Sequence, residues 1–292
     1  MKHPDYNSPS EIKTFLEQNH MSMQKKFGQN FLINPNARNK IVDELNPLQN
    51  EAIWEIGPGL GCMTEEILKR GSKLTVFEID WGFIKVLHSF FEDFENSKQL
   101  KIVEGDVLKT WKKEFELQKQ NGIIPKKLFG NLPYNIAATF IAETITNGFI
   151  FDKCNFTVQK EVVQRMAAKP CSQDYSAFSV LIQWGYDVQE GIELSPNNFW
   201  PKPNVTSQNV ILKRKEIPYE CKNPKTFVKL VHALFSSRRK TIYNNIKPLL
   251  LKNMNGEEIL KNANLEKSKR AEELSVQDFI NLSDAFDCAI VK

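Results

Sequence analysis

The amino-acid sequence predicts an α/β fold: a doubly wound parallel sheet followed by a small all-helical domain. Three observations carry this. Short β-type runs alternate with helical stretches up to about residue 215, a glycine-rich turn follows the first buried run, and only helical periodicity is left beyond residue 216. Ala52-Ile53-Trp54-Glu55-Ile56 reads as the first strand. Cys62 to Arg70 then sets Met63, Ile67 and Leu68 on one helical face. Lys73 to Glu78 is the second strand and Leu100 to Glu104 the third, with Lys127-Leu128-Phe129 the fourth and Asn155 to Val158 the fifth. The intervals hold crossover helices, such as Ala137 to Thr146. Sheets of this kind bind ligands beyond the carboxyl ends of their strands.

Residues 1–20 are polar and are expected to form a mobile lead with a short helix over Pro9 to Gln18. A catalytic domain is expected over residues 21–215. From Glu216 to Pro224 two prolines and mixed charges mark a linker. Residues 216–292 then form the helical domain, with Phe227, Val228, Val231, Leu234 and Phe235 in register, followed by Leu274 to Leu282.

The 292 residues are 41% hydrophobic and 25% charged, values of an ordinary soluble protein that exclude collagen-like and low-complexity chains. There is no run of 18 apolar residues, so no membrane span is expected. The start, Met1 to Tyr6, has no apolar signal segment, which predicts a cytoplasmic location. The five cysteines are scattered without a CxxC pair and read as reduced thiols, with no metal site. Charge is uneven. Residues 208–292 hold 16 Lys and Arg against 10 Asp and Glu, whereas residues 1–207 hold 23 against 25. A basic module beside a near-neutral one predicts a polyanionic partner, with a solvated helical surface as the plainer reading.

Four positions at the strand ends carry the chemistry. Glu55-Ile56-Gly57-Pro58-Gly59-Leu60-Gly61 follows the first strand, and its alternate glycines let backbone approach a ligand closely. Cys62 stands where a dinucleotide fingerprint wants glycine, so a pyrophosphate cradle fits less well. Glu78 ends the second strand, where an acid accepts from ribose hydroxyls. Asp106 lies just past the third, where a carboxylate accepts from an adenine amine. Together they point to an adenosine-containing cofactor. Asn131-Leu132-Pro133-Tyr134 follows the fourth strand. An adenine N6 amine is a poor nucleophile because its lone pair is delocalised into the ring. An Asn oxygen and a neighbouring carbonyl can accept both amine protons and favour a pyramidal nitrogen. Proline aims that carbonyl outward, and Tyr134 offers a face for stacking. Phe199-Trp200-Pro201-Lys202-Pro203 reads as an extended loop in which Phe199 meets the other side of a flipped base, or simply packs. Phe27-Gly28-Gln29-Asn30-Phe31-Leu32 allows a turn back over a cofactor.

From Gln24 to Ala285 these motifs make the chain resemble the ribosomal RNA adenine N6,N6-dimethyltransferases, S-adenosylmethionine-dependent enzymes with a Rossmann-like class I methyltransferase sheet. The resemblance extends to Gln159 to Met166 with Ala168-Lys169-Pro170, to Phe235 to Thr241 with Asn244-Asn245, and to Arg270 to Ser275. The last two are similar to the bacterial small-subunit enzymes more than to relatives that methylate large-subunit RNA and confer macrolide resistance. The resemblance implies S-adenosylmethionine contacts at Asn30, Leu32, Gly57, Glu78, Asp106 and Asn131, and a catalytic set of Asn131, Leu132, Pro133, Tyr134 and Phe199. It implies as substrate two adjacent adenosines in the 3′-terminal hairpin loop of 16S rRNA, presented by an immature small ribosomal subunit to a monomeric enzyme that uses no metal. Thr206 and Cys171 depart from the family pattern and bear on loop geometry, while Asn30 replaces a frequent His.

Arg238, Arg239 and Lys240, with Lys247, are the expected RNA-binding residues, against the alternative of a structural ion-pair cluster. Three rivals compete: an assembly factor that binds immature subunits without catalysis, a large-subunit methyltransferase, and a nicotinamide dehydrogenase. The intact Asn131 to Tyr134 motif disfavours the first and third.

Overall fold

The computed structural model describes residues 3–21, 30–131, 134–216 and 220–290, leaving aside the side chains of Tyr134, Asn135 and Ala138. The strands are β1 (Phe31–Leu32), β2 (Ala52–Ile56), β3 (Lys73–Glu78), β4 (Leu100–Glu104), β5 (Lys127–Gly130), β6 (Lys153–Gln159), β7 (Tyr186–Leu194), β8 (Phe199–Trp200) and β9 (Ser207–Arg214). Helices α1 (Pro9–Gln18) and α2 (Pro35–Leu45) precede β2, and α3 (Cys62–Lys69) follows it. Next come α4 (Trp81–Phe90), α5 (Glu92–Asn96), α6 (Val107–Gln120), α7 (Tyr134–Thr146), α8 (Lys160–Ala167) and α9 (Ala177–Gly185). The chain ends in α10 (Pro224–Phe235), α11 (Ile242–Ile246), α12 (Gly256–Asn262) and α13 (Val276–Ile290).

Two compact units result. The first gathers Met1–Phe140, Phe151–Val163 and Gln189–Lys213, and the second Ile141–Ile150, Gln164–Val188 and Arg214–Lys292. The main sheet runs β4-β3-β2-β5-β6-β9-β7. β2 lies parallel to both β3 and β5, with Ile56 opposite Phe77 on one side and Gly130 on the other. This is the predicted α/β class. Its central strands are buried on both faces and so read as near-continuous apolar runs, the ordinary state of parallel strands under helices. Trp54 is fully buried in β2, and its indole N–H donates to Gln118 Oε1 at 3.0 Å. Gln118 in turn donates to Thr75 and Glu114, so a polar chain closes inside the core with its members paired.

The ends of this unit differ from expectation. Phe199-Trp200 is a strand, not a free loop, and pairs antiparallel with β1, Leu32 facing Phe199 and Phe31 facing Trp200. β9 returns antiparallel along β6 from Lys153↔Lys213 to Gln159↔Ser207. The N-terminal helix forms over the expected span, with Ser8 capping it through the Glu11 N–H.

In the second unit α10 starts at the Asn223 N-cap, which accepts from Lys225 and Thr226, with Pro224 at the first helical position. Phe227 packs on Trp184 with centroids 4.4 Å apart, and Phe235 stacks on Phe279 at 5.6 Å. Tyr175 is buried and donates to the Leu274 carbonyl at 2.9 Å. Among the described residues no helix is long and apolar enough to cross a membrane.

Candidate active site

The turn after β2 is built on left-handed backbone. Gly57, Gly59 and Gly61 have φ of 72°, 58° and 85°. At Gly61 glycine is needed twice over, because a Cβ there would also lie 2.5 Å from Phe91 Cε2. The turn is pinned to the neighbouring strand, with the Gly57 N–H donating to the Phe77 carbonyl at 2.9 Å.

Glu78 at the end of β3 locks it further. One carboxylate oxygen accepts from the Ile79 and Asp80 N–H groups at 2.8 and 2.9 Å, and the other accepts from the Gly59 N–H at 3.1 Å. The side chain is 5% exposed, and burial raises its pKa against the pull of those three donors. Three backbone bonds leave about one of the roughly four acceptor positions of a carboxylate open to a ligand hydroxyl. Gly105, at φ 110°, donates to the Glu78 carbonyl at 2.7 Å and brings Asp106 to the same end of the sheet. Asp106 caps α6 by accepting from the Leu108 N–H at 3.0 Å.

Glu55 is the site residue that sequence reasoning passed over. It is 2% exposed, accepts from Thr64 Oγ1 at 2.7 Å, and is pushed up to about 8 by burial, with Thr64 lowering the value and the Glu78 charge raising it. Its signal was present: one acid inside an otherwise apolar strand run. Cys62, at the start of α3, also faces this space, and desolvation by its surroundings raises its thiol to about 12.

Asn131 follows β5 and is exposed, and its side-chain N–H donates to the Asn30 carbonyl at 3.3 Å. Leu132 and Pro133, and the side chain of Tyr134, lie outside the described residues, as does the Phe27-Gly28-Gln29 segment. Phe199 is 2% exposed on β8. One cavity of about 360 Å³ brings together Asn30, Leu32, Gly57, Glu78, Asp106, Asn131 and Phe199, with Glu55 and Cys62 in its wall. That volume and its mix of apolar wall with few polar groups suit a small-molecule cofactor. An acid at each of two strand ends and a turn with glycine at alternate positions fit the ribose, amine and backbone approach of an adenosine.

The expected RNA-binding residues belong to the second unit. Arg238 is paired with Glu272 through Nε at 3.2 Å and Nη2 at 3.1 Å, and Nη1 donates to the Gln173 carbonyl at 2.9 Å. Arg239 and Lys240 are exposed in the turn after α10, and Lys247 Nζ lies 5.1 Å from the centre of the Tyr243 ring. The two departures from the family pattern sit in turns. Cys171 takes a left-handed φ of 69° and donates its N–H to the Glu272 carbonyl, and the Thr206 carbonyl accepts from Lys160 N–H at 3.0 Å.

The open, largely parallel sheet with a glycine turn after β2 and acids at the ends of β3 and β4 has the class I methyltransferase fold, which it shares with a solved dimethyladenosine transferase. The chain belongs to the ribosomal RNA adenine dimethylase family, whose model matches residues 20–287. It is 45% identical over 285 residues to "Ribosomal RNA small subunit methyltransferase A" of Treponema denticola, covering 96% of this chain and 95% of that one. The protein of the same name from Borreliella burgdorferi is 40% identical over 97% of this chain and 95% of its own length. A dimethyladenosine transferase structure from Plasmodium falciparum shares the fold with a TM-score of 0.68 at 23% identity, over 88% of this chain and 97% of that one.

Proposed function

We propose that the chain transfers four methyl groups from S-adenosylmethionine to N6 of two adjacent adenosines in the 3′-terminal hairpin loop of 16S rRNA, within the immature small ribosomal subunit and coupled to its assembly. One observation carries the reading. In a chain of the ribosomal RNA adenine dimethylase family, Gly57, Glu78, Asp106 and Asn131 line one cavity from the ends of four parallel strands. The enzyme acts as a cytoplasmic monomer without metal, residues 21–215 forming its catalytic domain and the basic residues 216–292 binding RNA.

The chemistry the cofactor supplies when bound is an electrophilic methyl carbon on a sulfonium. The protein's part is positioning and electrostatics. Glu78 accepts from the ribose, Asp106 accepts from the adenine amine, and Gly57 lets backbone come close. Asn30 and Leu32 close the cavity on the other side. Asn131 Oδ1 and the Leu132 carbonyl accept hydrogen bonds from the two N–H groups of the target amine, localising its lone pair. Pro133 fixes that carbonyl, Tyr134 stacks on the base, and Phe199, buried on β8, backs the base from the cavity wall. Extruding the adenosine costs roughly a few kcal/mol, least in a single-stranded loop. No strong base is required, because the amine becomes acidic only after it is methylated.

The test is incubation of unmethylated small subunits with the protein and S-adenosylmethionine, followed by digestion and mass spectrometry of the adenosines. Dimethyladenosine at two adjacent loop positions is expected. Absence of methylation despite S-adenosylmethionine binding would move the substrate to another RNA or leave an assembly role.

A further inference from the structure

Residues 3–19 precede the first residue that the family model matches, yet they are tied to the cofactor turn by directed bonds. Tyr6 Oη donates to the Leu60 carbonyl at 2.9 Å, inside the Gly57–Gly61 turn. The same oxygen lies 2.9 Å from His3 Nδ1, His3 Nε2 lies 3.4 Å from the Phe90 carbonyl, and the His3 ring stacks on Phe90 at 4.0 Å. A second tie runs through Arg38 of α2. Its Nη2 donates to Asn7 Oδ1 at 2.5 Å and its Nη1 to the Leu32 carbonyl at 2.7 Å, so one guanidinium joins the N-terminal segment to β1. Arg38 is 7% exposed, and a buried cation is costly unless its donors are used. Apolar packing adds a third tie, with Ile12, Phe15 and Leu16 of α1 in one cluster with Phe31, Leu60 and Phe83.

These ties end on two walls of the cavity, the glycine turn and β1. The turn is left-handed at three glycines, and β1 is two residues long. We propose that the N-terminal segment is a strap that sets the position of the cofactor turn and of β1, with Tyr6 and Arg38 as positioning residues for cofactor binding. The inference rests on the cofactor reading given above. Burial raises the Tyr6 phenol far above its ordinary value, aided by Cys62 and Glu65, so it remains a donor over the whole working pH range.

The test uses the full chain and S-adenosylhomocysteine as probe, titrated calorimetrically well below the unfolding temperature. Tyr6→Phe keeps the ring and removes the hydroxyl with its contacts to Leu60 and His3, and it is expected to weaken binding about five- to tenfold, the order of one net hydrogen bond. Asn7→Ala leaves the guanidinium one acceptor short and is expected to weaken it about threefold. It also serves if Tyr6→Phe does not fold. In the free protein, amide exchange at residues 57–61 should quicken in both variants and slow again at saturating ligand. Tyr175→Phe is the matched control, because it loses the same kind of buried phenol-to-carbonyl bond in the helical unit. It should lower the melting temperature and leave the affinity unchanged. Strap variants that lower the melting temperature but bind like wild type would overturn the proposal and reduce the segment to a structural role. Wild-type protein that binds no S-adenosylhomocysteine would remove the cofactor reading, and this inference with it.

Discussion

Asn131 makes the sharpest demand at the scale of single residues. Its amide N–H is turned toward the Asn30 carbonyl, and the proposed function gives its oxygen the target amine. Asn131→Ala is expected to abolish methylation while particle binding stays within about twofold of wild type. Methylation at the wild-type rate would displace the site. Glu55 gives a pH prediction. Its carboxyl titrates at its ordinary 4.5 in the unfolded chain and at about 8 in the folded one, because burial disfavours the charge. Between those values the folded chain holds the extra proton, so this group's effect on stability is neutral below pH 4.5 and increasingly unfavourable as pH rises to 8. Its full size is on the order of a few kcal/mol. Glu55→Gln should flatten the fall in urea midpoint between pH 5 and 8, and an unchanged slope would show that another group titrates. Gly57, Glu78, Asp106 and Asn131 were legible in sequence because each follows a strand at a fixed place. What Glu78 touches was not legible, since its donors at Gly59, Ile79 and Asp80 meet only when β3 lies beside the turn.

Helices and strands show the same division between local and long-range information. The central strands β2, β3 and β5 were readable because parallel strands under helices are nearly continuous apolar runs. β1 and β8 were not, because two residues carry no period and their pairing joins Phe31 to Trp200 across the chain. The end of α2 shows how distant residues complete an element. Asn46 caps it at a left-handed φ of 54°, Lys127 Nζ donates to the Asn46 carbonyl at 2.5 Å, Lys153 Nζ donates to the Glu44 carbonyl, and Asn155 Nδ2 donates to the Ile41 carbonyl at 3.1 Å. Cations and donors there complement the helix dipole. Lys127 also pairs with Glu51 at 2.7 Å, both side chains 11% exposed. Lys127→Met should therefore cost about 3 kcal/mol by stranding Glu51, and adding Glu51→Met should return most of it. Urea unfolding of the two variants checks this. Equal losses in the single and double variants would mean that capping α2, rather than the ion pair, is what Lys127 supplies.

Charge is the property that belongs to the whole molecule. The excess of Lys and Arg lies in residues 208–292, and the structure divides the proposed RNA contacts into two kinds. Arg238 is engaged by Glu272 and Gln173, whereas Arg239 and Lys240 are exposed in the following turn. Arg239→Ala with Lys240→Ala is expected to weaken particle binding and lower the slope of log affinity against log salt by about 1 to 2, with the melting temperature unchanged. Arg238→Ala should do the reverse, lowering the melting temperature and barely moving the slope. A salt slope unchanged by the first pair would place the RNA surface elsewhere.

The Cys62 thiol bears on how such a cavity survives its own reagent. The cavity proposed for the cofactor has a sulfur in its wall, and the nucleophilic form of a cysteine is the thiolate. Burial raises that thiol to about 12, so Cys62 stays protonated at neutral pH and a sulfonium bound beside it would meet a thiol instead of a thiolate.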